Sequence, residues 1–112
     1  MSAAYDVARK AAQRLAPEYG KQLPLQVEKV IYEIDAQPDQ FWGWAETLGL
    51  AALIVQCAQF GWQIRNDRRG GELDPVALKQ QILDAANKQD NLGKAEREAV
   101  AAIVADEISK ME

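Results

Sequence analysis

A chain of 112 residues, 48% hydrophobic and 27% charged, is long enough for one core but not two, and its balance is globular rather than disordered. Its net charge of -4 withholds the basic surface that nucleic-acid phosphates require. With no histidine and a single cysteine, Cys57, a Ser-His or Cys-His nucleophile is excluded, as is a zinc site of the usual composition.

From the N-terminus, Ser2 to Leu15 predicts a first helix. Ala4, Ala8, Ala11 and Leu15 line one face, with Val7 and Ala12 beside them, while Lys10, Gln13 and Arg14 fall outside. Pro17 is expected to end it, and alanines bury little area each, so this element is expected to be the least firmly held. The segment has no apolar h-region, so no secretory signal is expected. Leu23 to Ala36 predicts a second helix. Leu23, Val27, Val30, Ile31 and Ile34 form its stripe, and Pro24 sits in the first turn, where the missing donor is not needed. Asp35 to Gln40 is a connector around Pro38, and Asp39 is the expected N-cap of the central helix.

The stretch Phe41 to Ile64 is the most apolar in the chain and uncharged from Thr47 onward. On a helical wheel Ala45, Gly49, Ala52, Gln56, Gln59 and Gln63 share one side, and leucine, isoleucine, valine and aromatic residues cover most of the rest. A helix apolar nearly all round is a buried central helix or a membrane span. A span needs about 20 predominantly apolar residues. The uninterrupted run Leu48 to Val55 falls short of that, and the glutamines break the remainder. The buried central helix is therefore the expected reading, with the span as alternative. In a span, Trp42, Trp44 and Trp62 would form an aromatic belt, and Arg65, Arg68 and Arg69 a cytoplasmic flank.

The cluster from Arg65 to Arg69 is diluted by Asp67 and predicts a solvated turn. Gly70-Gly71 is the strongest break, dividing a three-helix part (1–66) from a two-helix tail (72–112) within one domain. Asp74 before Pro75 is an N-cap with proline at the first helical position. The fourth helix carries Val76, Leu78, Ile82, Leu83, Ala85 and Ala86 and stops near Gln89. After the turn Asn91-Leu92-Gly93, the fifth runs from Lys94 to Met111 with Val100, Ile103, Val104, Ile108 and Met111 on one face. Strand-like alternation, repeats and phosphate-binding glycine loops are absent. The expected fold is all-α, about five helices packed around the central one.

Carboxylates such as Glu96, Glu98, Asp106 and Glu107 form the solvated side of an amphipathic helix. Glu46 stands alone in the apolar stretch, either as an interior carboxylate or as a first-turn charge favoured by the helix dipole; the second is expected. Cys57 has no cationic neighbour within a turn and is expected to be a small core residue. One cysteine forms no intramolecular disulfide, which fits a reducing cytoplasm.

The run LAALIVQCAQFGWQIRND, Leu50 to Asp67, and the spacing of Arg97, Val100, Val104, Glu107 and Ile108 resemble small helical modules encoded beside bacterial conflict or signalling effectors. The resemblance covers the chain from Leu50 onward. It implies a module that docks onto partners or self-assembles, with no catalysis of its own.

The expectation is thus a non-enzymatic interaction module, an adaptor or oligomerisation component, with a protein partner, a second copy or both, and no cofactor. Its candidate contact residues are Trp42, Trp44, Glu46, Gln56, Gln59, Trp62, Gln63, Arg65, Arg68 and Arg69. A membrane effector that oligomerises through the third helix and an acidic immunity protein are the alternatives. An amide buried without partners costs about 1–3 kcal/mol. The glutamine stripe should therefore face solvent or pair across a helix–helix contact and set its register; the contact is expected.

Overall fold

A computed structural model describes residues 3–36, 49–67, 74–88 and 93–110, with residues 33–36 as backbone only. Among the described residues there are five helices and no strand: α1 (Ala3–Tyr19), α2 (Leu23–Ala36), α3 (Leu50–Asp67), α4 (Pro75–Ala86) and α5 (Lys94–Lys110).

The first helix behaves as its spacing predicts on the buried side. Ala4, Val7, Ala8, Ala11, Ala12 and Leu15 are all buried. It does not stop at Pro17, which lies inside its last turn. Proline removes the bond to the carbonyl of Gln13, and Gln13 is exposed, where water can replace the lost donor. Termination falls to Gly20 instead. Its φ of +128° favours glycine, and its N–H still reaches the Ala16 carbonyl at 2.8 Å. The second helix has the predicted bounds, with Leu23, Val27, Val30 and Ile31 buried.

The central helix is shorter than its apolar stretch. Gly49 has a φ of +53°, outside the helical region, and its carbonyl accepts the first helical bond from Leu53 N–H at 3.1 Å. A single helix from Phe41 to Ile64 is therefore not formed, and α3 starts at Leu50. Asp39, the expected N-cap, is eleven positions before that start and lies outside the described residues. Residues 37–48, with Trp42, Trp44 and Glu46, lie outside the described residues. No helix among those described is long and apolar enough to cross a membrane.

What the apolar stretch does instead is fill the middle of the bundle. The third helix packs against all four others, and Ala51 to Val55 are buried in succession. The C-terminal pair is no appendage: α5 packs on α1, α3 and α4. Leu78, Ile82, Val100, Val104 and Ile108 belong to the same hydrophobic cluster as Val7, Leu15 and Ile54. Asp74 caps α4 as expected, its carboxylate accepting from Val76 N–H at 3.0 Å. Val76 itself is 75% exposed and takes no part in the core. The radius of gyration, 13.0 Å, matches the roughly 13 Å expected of one compact chain of this length.

Candidate interaction face

The surroundings of α3 change at Gln56. Before it every side is covered; after it only Cys57, Ala58 and Gly61 are buried. Gln59 is half-buried, Phe60 is 38% exposed, and Gln63, Asn66 and Asp67 are exposed. The three- and four-residue steps place Gln56, Phe60, Gln63 and Asp67 along one outward stripe. Of the glutamine stripe Gln63 is exposed, whereas Gln56 and Gln59 are half-buried with the Gln56 Nε2 shielded from solvent, and Ala52, predicted beside them, is buried.

Gly61 sets the geometry beneath this stripe. A methyl group there would overlap Ile108 Cδ1 and stand 3.0 Å from Ile82 Cδ1, so α3, α4 and α5 converge on a position without a side chain. Moving from that crossing toward the start of α3, α4 presents only Ala85 and Ala86 before it ends. Short side chains leave the space between the two helices unfilled. The result is an open cleft of about 260 Å³, with Leu53, Gln56, Cys57 and Phe60 on one wall, the two alanines on the other, and exposed Lys88 at the mouth.

The cleft is a place to bind rather than to react. Burial pushes the Cys57 thiol up to about 12, so it stays protonated near neutrality. Among the described residues no three His, Cys, Asp or Glu side chains gather into a set that could hold a metal ion. From Leu50 to Ile64 α3 carries no charge; among the described residues Lys88 lines the cleft at one end of the stripe, and exposed Asp67 ends it at the other.

Of the residues singled out in the sequence, Gln56, Gln59 and Gln63 come together on this face. Trp62 and Arg65 lie on another side of α3, both half-buried, with the guanidinium 4.9 Å from the ring centroid. Arg65 thus lies against an aromatic ring rather than in a solvated turn. Trp42, Trp44, Glu46, Arg68 and Arg69 lie outside the described residues. Phe60, Ala85, Ala86 and Lys88 are additions that the structure makes. Phe60 had a signal, since it is a large apolar residue at helical spacing between glutamines. A second apolar exposure, Leu25 and Tyr32 on α2, lines a larger but shallower groove of about 510 Å³ that Glu28 and Lys29 interrupt with charge.

No protein family, curated protein or solved structure matches this chain.

Proposed function

We propose that the chain is a non-enzymatic, all-α interaction module that docks protein through the outward stripe of α3 and the α3/α4 cleft. The observation that carries this is a half-exposed Phe60 beside an apolar recess, on a stretch of α3 that carries no charge from Leu50 to Ile64. Aromatic side chains at apolar recesses are where interface energy concentrates. The absence of histidine and the buried, protonated Cys57 support a non-catalytic role. The likeness of the stretch from Leu50 onward to effector-associated modules supports an adaptor or assembly role, and a single thiol suits a reducing compartment.

The test is native mass in extracts of the source cells at the natural level. The chain is expected to run in an assembly heavier than its own 12.4 kDa. Phe60→Asp is expected to release it as a folded monomer. A wild-type monomer, or a Phe60→Asp variant in an unchanged assembly, overturns the reading.

A further inference from the structure

Resting on that reading of the α3/α4 face, we propose that its occupant is a second copy of the chain, bound about a two-fold axis near Phe60. The two α3 helices run antiparallel, and each Phe60 ring meets the other copy at the Phe60 end of its cleft.

A two-fold interface joins the same patch to itself, so the patch must carry both the projecting group and the recess that receives it. This face does. Phe60 stands at the edge of the cleft, and a space of about 260 Å³ is ample for a phenyl ring, since a dry cavity of about 150 Å³ holds benzene. Copies that each carry a net charge of -4 repel on average, and α3 offers a line of approach without charge from Leu50 to Ile64. An axis at Phe60 sets Gln63 level with Gln56 and Cys57 of the other copy.

The ends of the stripe are complementary. Asp67 lies two helical turns beyond Phe60 on the same side, and Leu53 two turns before it. Antiparallel pairing about Phe60 brings Asp67 level with Leu53 of the other copy. Leu53 lines the cleft whose mouth holds Lys88. Each end thus joins an exposed carboxylate of one copy to an exposed ammonium of the other, twice per dimer.

Sedimentation equilibrium on the purified chain alone tests this. The mass should climb from 12.4 kDa toward twice that value with concentration. Asp67→Lys and Lys88→Glu each replace two attractions with two repulsions and should weaken the dimer about tenfold or more. The double variant restores both pairs in reverse and should recover most of the loss. Both positions are exposed, so folding is not at stake. Phe60→Ala should leave a monomer with unchanged helical circular dichroism. A wild-type chain monomeric at every concentration, or a double variant as weak as either single one, overturns the two-fold pairing. If the cellular assembly still depends on Phe60 in that event, the interaction reading stands and only the second copy is rejected.

Discussion

A single hydrogen atom in place of a methyl group, at Gly61, decides how near α4 and α5 come to the central helix. Gly61→Ala would press on Ile108 Cδ1 and Ile82 Cδ1, both in fully buried side chains. Overpacking of this kind costs about 1–3 kcal/mol, and the better helix propensity of alanine returns roughly 1 kcal/mol. Urea titration should show a net loss of about 1 kcal/mol, largely absent in an Ile108→Val background, which lacks the obstructing atom. A full loss persisting in that background would reject the contact as its cause. Asp74→Ala should cost about 1 kcal/mol by the same measurement, because Val76 N–H loses its acceptor. Asp74 was legible in the sequence, since an N-cap and the following proline are adjacent. Gly61 was not, because the residues that need it small lie 21 and 47 positions away.

At the scale of the helix, α1 shows how charge supplements an alanine face. Its buried side presents small residues that permit close approach but bury little area. Two arginines at its edge reach neighbouring helices: Arg9 to Glu28 of α2, and Arg14 to Asp106 and Glu107 of α5 at 2.6 and 3.0 Å. The Arg14 guanidinium, and then Lys110, hold the Asp106 carboxyl below its ordinary range. That stabilisation is present above the unfolded value near pH 3.9 and is lost as pH falls through the lower folded one. Asp106 and Arg14 are each 43% exposed, so solvent screening keeps each pair within about 0.2–1 kcal/mol. Arg14→Gln should therefore lower stability modestly at pH 6 and flatten the loss below pH 4. An identical acid limb in the variant would show that the pair contributes nothing. The apolar faces of α1 and α2 followed from their spacing. The α1 terminus did not, because Pro17 marks a stop only when the carbonyl it strands cannot reach water. The start of α3 was hidden likewise, since an apolar run does not reveal that Gly49 adopts a positive φ.

For the molecule as a whole, the sequence break after Asp67 separates chain segments but not cores. Leu78, Ile82, Val100, Val104 and Ile108 are fully buried in the common cluster. At about 1.5–3 kcal/mol each, their burial is comparable to the 5–15 kcal/mol that holds a typical domain together. A chain ending at residue 73 should thus lack a cooperative thermal transition and most of its helical circular dichroism. A fragment that melts cooperatively would make α4 and α5 dispensable. The same long-range packing explains why the candidate face was half legible. Its glutamines stand at helical spacing within one segment, whereas the cleft exists only because Ala85 and Ala86 arrive opposite them from another.

Cys57 turns that cleft wall into a clock. Cys57 is 2% exposed and protonated, so a thiol-specific reagent must wait until the packing around it loosens. With no other cysteine in the chain, every labelled molecule records one such opening. Labelling rate against reagent concentration then yields the frequency of that motion with no engineered probe. A copy or partner seated over the cleft would slow it.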